Sequence, residues 1–418
     1  MYDISLSIYA IVALVTVAIG WRTYAALTNP LAHLPGPMIS KWTHHRFQIA
    51  IMTGERARYE HALHERYVSL AYSSSGKTIY QIGSPFLKTP WYPTATGNPS
   101  GLFTLLDRKA HAQRRRLMAH NYSEAWVKNM APYIAEKTQI AVQKMIEQVD
   151  RNGYVNVNEW FWFMSTDVIS EAKFGDSFDF LKIGQKNQCI HDLESNGPRG
   201  VLRAEFPYSG GMLAHLLFGS ARDVSKGLKR MKSYIIAGTD TTASTATFAV
   251  WYLSQNPEIE QALIREVSAL PATFDNEKLR DLKVLDNVIR ETLRVRPSVG
   301  QGLPRHYIPG GTTVAIPAYS MHRIRSVWSE PGKFDPEKFD PEKFDPSRWE
   351  DVTRDMKDSF HFAQLELRHA LANFYRTFSS GMVASKAEGF CEDDMTPMSF
   401  FVTALKGRRC LLERRSKH

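Results

Sequence analysis

Cysteine is close to missing from this sequence: three residues in 418, Cys189, Cys391 and Cys410. They are far apart, odd in number and form no CxxC or Cys/His pair, which excludes a disulfide scaffold and a structural zinc site. A GxSxG elbow, an HExxH pair and a phosphate-binding glycine loop are also missing, which removes the common hydrolase, zinc-protease and nucleotide-binding signatures. Lys and Arg (52) outnumber Asp and Glu (43) for a net charge of +9, but no basic run is dense enough to argue for nucleic acid. An excess of this size suits an anionic membrane surface, an acidic protein partner, an anionic cofactor, or solubility alone. What remains, 43% hydrophobic and 23% charged residues, is ordinary globular composition, long enough for a large core in one domain or two.

One long apolar run stands out. Ile4 to Trp21 carries no charge and is just long enough to cross a bilayer as a helix. Its acidic start, Met1-Tyr2-Asp3, and the lack of a small-x-small cleavage site read as a membrane anchor rather than a secretory signal. Arg22, Lys41 and Arg46 follow the span and nothing basic precedes it, which places the bulk of the chain in the cytoplasm; a buried N-terminal helix is the alternative. Leu34-Pro35-Gly36-Pro37 is stiff, because each proline fixes its own backbone and restricts its predecessor. The expected organisation is an anchor at 1–22, a Pro-rich hinge at 23–40 and a body at 41–418.

Apolar periodicity predicts helices over Tyr59–Tyr67, Leu105–Tyr122, Ile134–Val149, Pro257–Ala269 and Phe362–Phe378. Asn156-Val157-Asn158 opens another, through Ala172, and a stripe of Leu285, Val288, Ile289 and Leu293 ends at Pro297. Short strands are expected at Ile79–Ile82 and Val314–Ile316, and a strand or hairpin over Phe400–Leu412. Gly184 to Gly227 has no pattern. Phe334-Asp335-Pro336-Glu337-Lys338 repeats at once as Phe339-Asp340-Pro341-Glu342-Lys343, a tandem duplication too short for a solenoid.

Three groups of residues carry chemistry. Ala237-Gly238-Thr239-Asp240-Thr241-Thr242 sets poor helix formers inside an apolar run from Tyr234 to Val250, a conflict typical of functional sites. A glycine there lets a flat group approach the backbone, and Asp240 beside Thr241 offers a carboxylate and a hydroxyl for proton relay; a capped helix N-terminus is the competing reading. His111 and Arg115, four apart on a helical stretch, could grip a carboxylate or form a solvated basic face. Glu291 and Arg294, three apart, would ordinarily be a surface ion pair worth about 0.2–0.5 kcal/mol.

In order and spacing, these pieces resemble a membrane-bound cytochrome P450 over nearly the whole chain. The matching segments are the anchor with Pro35-Gly36-Pro37, the His111/Arg115 helix, Ala237 to Thr242, Glu291-Thr292-Leu293-Arg294 and Phe344-Asp345-Pro346-Ser347-Arg348-Trp349. Lys41-Trp42-Thr43, Lys88-Thr89-Pro90-Trp91-Tyr92 and Gly407-Arg408-Arg409-Cys410-Leu411 resemble the fungal enzymes of secondary metabolism. The resemblance implies a mainly α fold with a small β lobe, incomplete in places. It also implies haem b, an apolar small-molecule substrate, and electrons from NADPH through NADPH-cytochrome P450 reductase. The site would be single-pass on the endoplasmic reticulum membrane, with the body in the cytosol.

By the same resemblance, Glu291 and Arg294 would form a buried network with Arg348, and His111 and Arg115 would face the haem propionates. Ala237 and Gly238 would lie against the haem, and Asp240 with Thr241 would deliver protons for O–O cleavage. The family also needs an axial cysteine thiolate. Its loop, of form FxxGxRxCxG, precedes a helix beginning AxxE. That helix is here as Ala363-Gln364-Leu365-Glu366 and the lead-in as Asp358-Ser359-Phe360, but only His361 and Phe362 lie between. No metal ligand is therefore assigned. Two other joins, after Tyr67 and between about Phe206 and Lys232, look shortened, in the manner of missing exons. An inactive haem-less relative serving as a membrane-bound binding protein is the alternative reading.

Overall fold

The computed structural model describes residues 2–32, 34–67, 84, 86–96, 101–119, 124–186, 190, 199–206, 208–218, 226–297, 317–323, 344–349, 364–399 and 402–416. The strands expected at Ile79–Ile82 and Val314–Ile316, the repeat before residue 344, Cys189 and His361 lie outside them. The first helix, α1 (Tyr2–Thr28), runs past Arg22 and takes in the first residues expected in the hinge. Arg, Ala and Leu all favour helix, so nothing in Arg22 to Leu27 stops it. Ser7–Thr28 is long and apolar enough to cross a membrane and is almost wholly exposed.

Two short helices follow, α2 (His45–Met52) and α3 (Arg56–Arg66), then α4 (Trp91–Thr96). Helix α5 (Arg108–Met118) begins where the Asp107 carboxylate accepts from the N–H groups of Lys109 (2.8 Å) and Ala110 (3.3 Å). The core is built from α6 (Glu124–Asn152), α7 (Val157–Phe174), α10 (Lys226–Gln255), α13 (Lys283–Val295) and α15 (Gln364–Thr377). Between α7 and α10 lie α8 (Phe180–Ile183) and α9 (Gly210–Phe218); α11 (Pro257–Ser268) and α12 (Asn276–Arg280) lead into α13, and α14 (Ala318–Met321) follows it.

Each core helix turns an apolar stripe inward: Ala141, Val142 and Met145 from α6, Phe161 and Phe163 from α7, Ala246, Val250 and Leu253 from α10, Leu285, Val288 and Ile289 from α13, and Leu371, Phe374 and Tyr375 from α15. Helix α7 packs on α6 and α10, and α15 fills the gap among α6, α10 and α13. Burying each large side chain of that set contributes about 1.5–3 kcal/mol.

The β lobe is small. Strands β1 (Val155–Asn156), β5 (Leu411–Arg414) and β2 (Met382–Ala384) form one antiparallel sheet in that order, and β3 (Pro397–Ser399) pairs with β4 (Thr403–Leu405) in another. Of the strand or hairpin expected over Phe400–Leu412, β4 is a strand that pairs back on β3, while β5 joins the other sheet, the Gly407–Arg408 turn carrying the chain across. Buried Glu260 of α11 ties the first sheet down, accepting from the Met382 N–H (2.9 Å) and Arg415 Nη2 (2.8 Å). Gly381 permits this: its φ is +82°, and a Cβ would sit 2.5 Å from the Glu260 carboxylate.

Candidate active site

Asp240 and Thr241 sit near the middle of α10, not at its start, so the capped N-terminus is excluded. Both are half-buried. The Thr241 hydroxyl donates to the Ala237 carbonyl at 2.7 Å, and the Thr245 hydroxyl donates to the Thr241 carbonyl at 2.7 Å. Such back-bonds satisfy a hydroxyl on a helix at a small cost in helix regularity. The Asp240 carboxylate accepts from the indole N–H of Trp162 on α7 at 3.1 Å, and the Lys186 ammonium lies 4.4 Å over that indole. One turn away, Thr166 donates to Thr239 at 3.2 Å. Ala237 is exposed and Gly238 half-buried. A Cβ on Gly238 would lie 2.7 Å from Ile169 Cγ1, so the room this glycine leaves is taken by α7, and the close approach of the two helices depends on it.

Glu291 and Arg294 are fully buried on α13 and form a bidentate pair, Arg294 Nη2 to Oε1 at 2.7 Å and Nε to Oε2 at 2.9 Å. This is no surface pair. The carboxylate also accepts from the Asp345 N–H (2.9 Å) and the Trp349 indole N–H (3.0 Å), so Glu291 fastens the Phe344–Trp349 segment to α13. Arg294 Nη1 donates to the His322 carbonyl at 3.1 Å, and Arg323 donates back to the Val295 carbonyl at 2.9 Å. Four acceptor interactions on one carboxylate offset a desolvation that an isolated pair would not. Arg348 lies on a short 3-10 helix, Pro346–Trp349, and its side chain is outside the described residues. The Arg296 guanidinium, 5.9 Å from the Phe248 ring and 5.6 Å from the Tyr252 ring, sets the end of α13 against the last third of α10. Those rings lie eight and twelve residues past Asp240, roughly 12–18 Å along the helix.

His111 is half-buried on α5 and Arg115 exposed one turn on. Burial first, then the charges of Lys88 and Arg115, hold the His111 imidazole below its ordinary value. Among the described residues neither His111 nor Arg115 has an ion pair, and a group of like charges of this kind favours an anion beside it. No described contact joins it to Asp240 or Glu291. The structure thus binds Asp240 to Trp162 and Glu291 to Arg294.

Several members of these groups were invisible to sequence reasoning. Trp162 is one aromatic among several on α7, and Lys88 lies in a segment whose resemblance gives it no role. Trp349 lay in a recognised segment whose arginine drew the attention. Glu366, in the first turn of α15, has one carboxylate oxygen sealed from solvent without a hydrogen-bond partner. Burial pushes it up to about 7, with the Ser165 hydroxyl acting the other way. The cysteines are placed elsewhere. Cys410 is fully buried against β1, its N–H on the Asn156 side chain, and burial raises its thiol; Cys391 is exposed ahead of a 3-10 turn.

The family model for cytochrome P450 matches residues 67–197 and 228–363. Cytochrome P450 monooxygenase tazI of Aspergillus terreus is 33% identical, with 97% of this chain and 98% of the relative covered. Cytochrome P450 monooxygenase orf2 of Aspergillus niger is 27% identical over 93% and 94%, and stcB of Emericella nidulans 24% over 93% and 89%. The tazI comparison runs over 491 positions, so at least 73 of them (491 less 418) have no counterpart in this chain. The family match breaks at 198–227, beside the second shortened join, and stops at the Phe360–Ala363 junction.

Proposed function

This chain belongs to the cytochrome P450 family, and on that basis we propose that it is a membrane-anchored monooxygenase acting on an apolar small molecule in fungal secondary metabolism. One oxygen atom enters the substrate and the other leaves as water, with electrons passed from NADPH through NADPH-cytochrome P450 reductase. The single observation that carries the reading is Asp240 beside Thr241 in the interior of a thirty-residue helix, where capping has no use for either. Helix α1, with Arg22 after its apolar run, supports single-pass anchoring in the endoplasmic reticulum with the body in the cytosol.

The family's haem would supply the activation of dioxygen. The chain fits it in part. His111 feels the charges of Arg115 and Lys88 and, among the described residues, neither His111 nor Arg115 is paired with an acid, and Ala237 is open on α10. The axial position does not fit: Cys410 is sealed in the β lobe, Cys391 is on the far side of α15 in the sequence, and residues 350–363 contain no cysteine.

The roles left to the chain's own groups are proton handling and positioning. Asp240, oriented by the Trp162 indole, takes up and releases a proton. Thr241 passes that proton on when its hydroxyl swings from the Ala237 carbonyl. Glu291 and Arg294 do no chemistry; they fix α13 to the segment that leads toward α15.

A second reading rests on the axial mismatch: a haem-less relative that binds small molecules at the membrane. The test is to express the full chain in microsomes, reduce it, add carbon monoxide and record the Soret region. A thiolate-type band supports the monooxygenase. Its absence in a chain whose circular dichroism shows intact helices selects the binding protein. Sequencing the transcript across Phe360–Ala363 tells whether a cysteine loop is encoded there.

A further inference from the structure

Where α1 leaves its apolar run, a crevice of about 410 Å³ opens between it and the body. We propose that this crevice holds one anionic phospholipid, its phosphate at Arg22, Thr43 and His45 and its first acyl methylenes along Val15, Ala18 and Ile19. The proposal rests on the reading of α1 as a membrane anchor.

The wall has the order of a phospholipid. Val15, Ala18, Ile19 and Arg22 recur at helical spacing on the face of α1 that lines the crevice. Three apolar side chains therefore lead, over roughly 10 Å of helix, to one guanidinium. In a bilayer that sequence runs from hydrocarbon to the depth of the phosphates. The size is also suitable, within the roughly 300–1,000 Å³ of small-molecule sites.

The polar end is cationic and donor-rich. Arg22 spends one nitrogen on the Trp42 carbonyl, at 3.3 Å, and makes no ion pair among the described residues. Its remaining N–H groups are geometrically suited to phosphate oxygens. Thr43 Oγ1 accepts from the His45 N–H at 3.2 Å, which leaves its hydroxyl hydrogen to donate. The His45 Nδ1 donates to the Gln48 side-chain oxygen at 2.8 Å, which fixes the ring; its Nε2 donates to a phosphate only when the ring carries both protons. Helix α2 begins at His45, whose N–H Thr43 takes; His44 adds no side-chain cap, so the next first-turn amides contribute positive potential. No lining residue is acidic, so an anionic headgroup is favoured over one that brings an ammonium. Beside the crevice, Met38 and Ile39 are 65% and 61% exposed, which lets this edge of the body sit in lipid.

The experiment reconstitutes the full chain in nanodiscs of phosphatidylcholine doped with a photoactivatable phosphatidic acid, and maps the label by peptide mass spectrometry. The expected label falls on peptides spanning 15–22 and 42–45, and drops about tenfold in Arg22→Gln/His45→Gln. Lys41→Gln is the control, since its ammonium donates to the Ala32 carbonyl and does not line the crevice. It should leave labelling unchanged. Label spread along α1, an equal loss in Lys41→Gln, or full competition by glycerophosphate overturns the site. Flotation with phosphatidylcholine vesicles reads the anchor separately: a chain that floats but does not label selectively keeps its anchor and loses this site, and one that does not float loses both.

Discussion

Replacing Glu291 tests the buried network directly. Among the described residues its two oxygens accept four donors, Arg294 Nη2 and the Asp345 N–H on Oε1, and Arg294 Nε and the Trp349 indole on Oε2. A glutamine keeps the shape but must turn its NH2 toward one of these two pairs. Two donors then lose an acceptor and remain buried, at about 1–3 kcal/mol apiece, softened by relaxation to a net loss of about 2–4 kcal/mol. Glu291→Ala also strands the Arg294 charge, fully buried, and should cost about 3–5 kcal/mol or more. Trp349→Phe removes a single bond and should cost about 1 kcal/mol beyond its packing change. The assay is urea denaturation of the full chain in detergent, followed by far-UV circular dichroism. Glu291→Gln within about 0.5 kcal/mol of the wild type, or no worse than Trp349→Phe, would show that the four bonds contribute nothing net.

Three other outcomes are expected. Glu366 is raised by burial to about 7 in the folded state from 4.5, so its contribution is fully present below about pH 4.5 and is lost as pH rises toward 7. Stability should fall by at most about 3 kcal/mol across that window, and Glu366→Gln should flatten the dependence in denaturation curves at pH 5 and 8. Gly238→Ala should destabilise by about 1–3 kcal/mol through collision with Ile169. Ile169→Val combined with it should recover part of that loss; no recovery would mean the strain lies in the backbone. Lys88→Met or Arg115→Ala should raise the His111 pKa, read by NMR titration, because each removes a charge that holds it down; a lower or unmoved value would show that the charges do not act on the ring.

Much of the helical frame is written locally. The stripe from Ile134 to Val149, the run ending at Pro297 and the charge-free N-terminal stretch are each legible because periodicity reports which face a helix buries, within a few residues. The conflict at Gly238 to Thr241 is equally local, since helix propensity is a property of each residue. Partners are another matter. Trp162 meets Asp240 across 78 residues, Trp349 meets Glu291 across 58, and Cys410 reaches Asn156 across 254. Likewise β5 chooses β1 and β2 over the nearer β4.

A buried face does not state what will cover it. Packing among α6, α7, α10 and α15 brings those distant groups together, turns Glu291–Arg294 from a surface pair into a sealed one, and gives the space beside Gly238 to Ile169. Pattern along the chain located the candidate groups; only the close packing of helices far apart in sequence decided their neighbours, because contact energies depend on what lies within a few ångströms in space.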